Sequence, residues 1–178
     1  MSGVRRRLSG RVAVPLPPQE AFTLFTPRGE EAWVAGWRPR FPAGARDDSE
    51  PGTVFETGAH DERTTWVVLG RERGRSVSYA RVTPGSRAGT VTVVLDEGPR
   101  GDDAEDTNGE VTNVGDAHAE DTYAGITHAG ITYAKVTYDL TALSPEGERE
   151  LRRFADGYPA FLESWEREIA DHVRRSTT

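Results

Sequence analysis

The sequence predicts an α+β fold: an antiparallel sheet of about six or seven strands, two short helices after strand 1, and a long kinked C-terminal helix. Three observations predict it. Short runs rich in β-branched and aromatic residues recur between turn residues through the middle of the chain, the pattern of antiparallel strands. Apolar residues from Leu151 to Val173 recur at spacings of three and four, the period of an amphipathic helix. That helix carries Gly157 and Pro159 inside it, where a proline costs on the order of 3 kcal/mol and bends the helix.

The elements follow in order. In "GRVAVPLPP" Val12, Val14 and Leu16 alternate as a first strand that prolines end. "PQEAFTLFTP" places Ala21, Phe22 and Phe25 on one side of a short helix, closed before Pro27, Arg28 and Gly29. "GEEAWVAGW" reads as a second short helix carrying Trp33, with Trp37 just beyond. "GTVFETG", "RTTWVVLGRE", "RSVSYARVT" and "GTVTVVLDE" read as strands. In "AKVTYDLTAL" Ala134, Val136, Tyr138 and Leu140 alternate with polar residues, a strand with one buried face that begins near Ala134. Ser144 suits an N-cap and Pro145 the first helical position. The helix stripe is Leu151, Phe154, Tyr158, Phe161, Leu162, Trp165, Ile169 and Val173.

Between the last two strands the sequence stutters. Pentads run TNGEV, TNVGD, AHAED, TYAGI, THAGI, TYAKV and TYDLT from Thr107 to Thr141. A solenoid needs stacked units with apolar centres, and here Asp116 and Asp121 occupy centres, where burial is costly. A plain strand fails as well, because an odd period turns successive repeats to opposite faces. The reading is one domain, residues 1–178, with a low-complexity acidic and pentad-repeat insertion at 102–131 in the hairpin before the last strand.

Charge follows the same division. Of the total of −7, the segment Asp96 to Asp121 holds ten acidic residues and one Arg, or −9, so the rest of the chain carries +2. A nearly neutral body argues against nucleic acid as a partner, and the cluster Arg5, Arg6, Arg7 reads as a solvated strand end. No apolar run reaches the length of a membrane span, and the basic N-terminus lacks the apolar core of a secretory signal. With no cysteine there is no disulfide framework or thiolate ligand. A cytoplasmic location is expected. A single lysine, Lys135, among 22 basic residues suggests a GC-rich, bacterial genome.

The phrases "EAFTLFTPRGEEAWVAGW", "TTWVV", "YARVTPGSRAGTVTV" and "VTYDLTALSPEG...FLESWE", in this order of elements, resemble a bacterial branch of the SRPBCC superfamily. This superfamily includes START lipid-transfer domains, polyketide cyclase/dehydrase-like proteins and birch-allergen-like proteins. The resemblance spans nearly the whole chain except residues 102–131. It implies a helix-grip fold, in which a curved antiparallel sheet grips the C-terminal helix around a cavity for apolar or amphipathic small molecules. It carries over no universal catalytic residue and no cofactor.

Candidate ligand-binding residues follow from pattern. Trp33 and Trp37 lie where, by the resemblance, short helices close one end of the cavity. Trp66, Tyr79 and Tyr138 lie on strands, and Phe154, Tyr158, Phe161 and Trp165 on the helix stripe. Taken singly each reads as core; as a set they read as aromatic walls with a few polar tips. Arg81 alternates with Tyr79 and faces either a ligand carboxylate or solvent, since the strand's face is open at this point.

Other chemistry is sparse. The sequence has no phosphate loop, nucleophile elbow or zinc spacing. His60, Asp61 and Glu62 read as a turn. Asp116, His118, Glu120 and Asp121 read as chance clustering within the repeat rather than a metal site, and His128 and His172 point to no further role. Glu56 is the carboxylate expected near the pocket. The leading expectation is a carrier or sensor of a hydrophobic small molecule, monomeric or homodimeric. A cyclase/dehydratase-like enzyme using the same cavity is the alternative, and a protein-interaction module the third.

Overall fold

Alternation of inward and outward side chains builds the sheet. In the strand Thr132–Ala142 every second residue is buried: Thr132, Ala134, Val136, Tyr138, Leu140 and Ala142, the two-residue period of a strand with one face on a core. The computed structural model describes residues 4–59, 62–97 and 130–177. Six strands, β1 (Arg5–Val14), β2 (Val54–Ala59), β3 (Glu62–Glu72), β4 (Ser76–Thr83), β5 (Arg87–Glu97) and β6 (Thr132–Ala142), form one antiparallel sheet in the order β1-β6-β5-β4-β3-β2. The last strand therefore returns beside the first. β6 begins at Thr132, slightly before the expected start, because Thr132 still pairs with Val14 on one side and Glu97 on the other.

Helix α1 spans Pro18–Leu24, with Ala21, Phe22 and Leu24 buried. The second short helix is a single 3₁₀ turn, Gly29–Ala32. It stops because the backbone N–H of Trp33 closes an i→i+3 bond to Glu30 while the Trp33 indole reaches back to the Leu24 carbonyl at 2.8 Å.

The C-terminal stripe folds as two helices, α2 (Pro145–Asp156) and α3 (Tyr158–Ser176), divided at Gly157. The bend falls at the glycine–proline pair that predicts it, since Pro159 cannot donate to the ladder. Ser144 caps α2 by accepting the Gly147 N–H at 3.0 Å. Helix α3 lies on β1, and Gly10 permits the approach: a Cβ there would overlap Leu162 Cδ1. Glu166 on α3 also accepts the Ala13 N–H at 2.8 Å, which satisfies a donor on this edge strand.

The arginine cluster has a structural partner. Arg5 donates to Asp139 through Nε at 2.6 Å and Nη2 at 2.8 Å, and Arg7 adds a longer ion pair at 3.6 Å. The hydrogen bonds from Arg5, helped by the charges of Arg5 and Arg7, hold the Asp139 carboxyl below its usual range. His60, Asp61, His118, Asp116, Glu120, Asp121 and His128 lie outside the described residues.

Candidate functional site

Where the sheet turns away from α3, a cavity of about 210 Å³ remains. Phe55 on β2, Trp66 on β3, Tyr79 on β4 and Tyr138 on β6 line it from the sheet, with Val91 and Val93 on β5. Phe161 and Trp165 on α3 face them. Pro27, Glu30, Val34 and Trp37, in and around the 3₁₀ turn, complete the wall.

The aromatic rings brace one another. Phe55 and Trp66 stack at 5.7 Å with 5° between planes, and Trp37 meets Trp66 edge-on at 5.7 Å. Phe161 and Trp165 lie 4.9 Å apart. Several polar tips are spent on orientation. The Trp37 indole donates to the Pro27 carbonyl at 2.7 Å, the Trp66 indole to Thr57 Oγ1 at 2.9 Å, and the Tyr79 hydroxyl to the Phe25 carbonyl at 2.7 Å. Burial also pushes the Tyr79 hydroxyl pKa far up, so these groups are fixed donors rather than titrating ones.

Three polar side chains are less well satisfied. Arg81 sits in register with Trp66 and lays its guanidinium 4.7 Å above that ring, a cation–π contact. Its Nη2 donates to Thr83 Oγ1 at 3.1 Å, and Thr83 is in turn bonded to Thr64 at 2.7 Å. Its Nε is buried with no hydrogen-bond partner. Among the described residues no carboxylate forms an ion pair with it. Desolvation lowers its pKa, with the Tyr138 hydroxyl and Arg87 as lesser influences of opposite sign; an arginine remains a cation all the same.

The other two are acids. Burial pushes the Tyr138 hydroxyl up, against a weaker pull from the Arg81 charge, and among the described residues that hydroxyl makes no hydrogen bond. Glu30 is half-buried, and desolvation by the surrounding protein pushes its carboxyl well above the usual carboxylate range.

No protein-family model matches this chain, and no curated protein matches it by sequence. Solved structures do match. Protein MLL2253 from Mesorhizobium loti is 17% identical over 96% of this chain and 98% of that one, with a TM-score of 0.57. CalU16 from Micromonospora echinospora is 16% identical over 96% and 75%, with a TM-score of 0.55. Norcoclaurine synthase from Thalictrum flavum, in complex with dopamine and hydroxybenzaldehyde, is 10% identical over 98% and 89%, with a TM-score of 0.56. At such identities the likeness concerns fold alone.

The chain has a helix-grip fold. Within it, Trp37, Trp66, Tyr79, Arg81, Tyr138, Phe161 and Trp165 are brought together around the cavity. Trp33, Phe154 and Tyr158 are placed elsewhere. Trp33 is buried behind the wall against Phe25 and Trp165. The Tyr158 hydroxyl is engaged by the Val136 carbonyl at 2.8 Å, and Phe154 packs on Tyr138 and Tyr158.

Glu56 is not a cavity carboxylate. Phe55 takes the inward position on β2, so its neighbour Glu56 turns to the other face and pairs with Arg40 at 3.5 Å and Arg63 at 3.8 Å. The cavity carboxyl is Glu30 instead. The Val34 N–H to Glu30 carbonyl bond sets the two residues on one side of the turn. His172, on α3, borders a separate surface groove beside Asp47 and Arg73.

Proposed function

We propose that the protein binds a small hydrophobic or amphipathic molecule in the cavity between sheet and helix, and that it belongs to the SRPBCC superfamily. The observation that carries this reading is an aromatic-walled cavity that also holds under-satisfied polar groups, the makeup of a ligand site rather than a packing flaw. Its size narrows the class. A cavity of about 150 Å³ takes benzene, so about 210 Å³ accepts one ring with short substituents and not a long acyl chain. The norcoclaurine synthase complex with dopamine and hydroxybenzaldehyde supports the choice of small aromatics.

Trp37, Trp66 and Trp165 all border the space, so intrinsic fluorescence reports on it. Titration with substituted benzenes and with long fatty acids is expected to give a saturable change with the former only. A flat response to every compound would reject the reading.

One observation favours a second reading, an enzyme acting on the bound molecule. Desolvation raises the Glu30 carboxyl well above its usual range, the direction a general acid needs, and Tyr138 lines the same cavity. Incubating the protein with aromatic carbonyl compounds and weighing the products by mass spectrometry separates the two: a carrier returns its ligand unchanged. A protein-interaction role has less support, since the exposed large apolar residues among those described are Val54, Leu69, Val82 and Leu143. No described helix is long and apolar enough to cross a membrane; the cysteine-free composition is what supports a cytoplasmic location.

A further inference from the structure

The geometry points to Arg81 as the anchor for an anionic ligand: the cavity takes a one-ring aromatic carboxylate, with the ring among the aromatic walls and the carboxylate on the Arg81 guanidinium. This rests on the cavity being a ligand site, and adds the sign of the ligand's charge.

A buried cation is normally matched by a carboxylate, because desolvating an unmatched charge is expensive. The same protein shows the normal case twice. Arg71 is paired with Asp47, and Arg87 with Glu150 at 3.2 Å. Arg81 has only a ring face and one threonine hydroxyl, and its Nε points at no acceptor. Its charged surroundings supply no ion pair. Arg87, itself paired with Glu150, disfavours the charge on Arg81, while Glu62, which favours it, is an exposed residue at the start of β3. The acids within the cavity do not fill the role. Tyr138 is held neutral by burial and Glu30 is held toward its neutral form.

A planar carboxylate is the chemistry a guanidinium recognises best. The room beyond it is bounded by Trp66, Tyr138 and Phe161, which suits a ring rather than a polar tail.

The test compares benzoate with its neutral, near-isosteric amide, benzamide, by fluorescence titration and calorimetry at neutral pH, in the wild type and in Arg81→Gln. Benzoate is expected to bind at least about tenfold tighter than benzamide, the scale of a charge-assisted hydrogen bond in a dry site. Arg81→Gln is expected to erase that gap by weakening benzoate more than benzamide.

Equal binding of the two compounds by the wild type would overturn the anchor and leave the cavity reading standing. Binding of neither would overturn both. A gap that survives in Arg81→Gln would move the anchor elsewhere. Should Arg81→Gln fail to fold, the wild-type ranking decides alone, and Arg81→Lys, which keeps the charge but loses the planar fork, should retain only part of the gap.

Discussion

The inner face of the sheet has a solid half and a hollow half. On the β1–β6 side the helix comes down until a Cβ at Gly10 would overlap Leu162 Cδ1, and Val12, Val14, Ala134, Val136, Leu140 and Ile169 are wholly enclosed. Polar atoms there are matched: the Tyr158 hydroxyl finds the Val136 carbonyl and Glu166 finds the Ala13 N–H. On the β2–β5 side larger aromatic side chains surround empty space, and Arg81, Glu30 and, at the boundary on β6, Tyr138 are left incompletely matched. Helix α3 serves both halves: its Leu162 and Ile169 close the solid one, and its Phe161 and Trp165 wall the hollow one. The solid half supplies the stability that lets the hollow half remain unfilled.

The largest effect is expected from opening the solid half. Ile169→Ala removes a fully buried side chain from a site with no room to collapse, and should cost about 2–5 kcal/mol, read as a lowered midpoint in urea unfolding. A cost below about 1 kcal/mol, the range of an exposed site, would mean that this half is as loose as the other.

Adding volume sharpens the contrast. Val136→Leu overfills the enclosed half and should cost about 1–3 kcal/mol. Val93→Leu extends into the cavity and should be neutral or stabilising, while weakening small aromatics in the fluorescence titration. Equal costs for the two substitutions would erase the distinction.

The inward faces are legible in the sequence, though not which half is solid and which hollow, and the reason is periodicity. The strands of β3 to β6 and the helical stripe carry long, regular patterns, so their inward faces follow from position alone. Legibility fails where the element is short. Four residues of 3₁₀ turn cannot reveal which of Glu30 and Glu31 faces inward, since that depends on how Trp33 anchors to Leu24 across the turn. Glu56 was misjudged for the opposite reason: Phe55 beside it already claimed the inward face, and alternation should have decided. Arg81 shares a face with Tyr79 two residues away, but a buried arginine without a carboxylate is rare enough that sequence left its side open.

A smaller effect tests the hollow half through pH. Burial raises the Glu30 pKa in the folded state, so the folded protein keeps a proton that the unfolded chain releases near the ordinary carboxylate value. Stability attributable to Glu30 is therefore highest at acid pH and falls as pH rises through and above that value. Glu30→Gln should raise Tm at pH 7, at about 2–4 °C for each 1 kcal/mol recovered, and converge on the wild type near pH 4. A Tm difference that does not vary with pH would show that the carboxyl is solvated.

The smallest net effect is expected from excising residues 102–131, which we propose form an insertion in the β5–β6 hairpin. Glu97 and Thr132 are register partners at the end of that hairpin. Excision leaves Gly98, Pro99, Arg100 and Gly101 between them, within the usual span of about two to five residues for a hairpin loop. Shortening the connection by about three doublings should recover roughly 2 kcal/mol of closure entropy. Against that stands Ile131, partly buried on Ala13 and Ala170, whose loss costs less than the roughly 1.5–3 kcal/mol of a fully buried side chain. The two terms nearly offset, so the shortened chain should unfold cooperatively at a Tm close to that of the full chain and bind the same aromatics. Loss of a cooperative transition would instead make the repeat part of the core, and would tie its last pentads to the solid half.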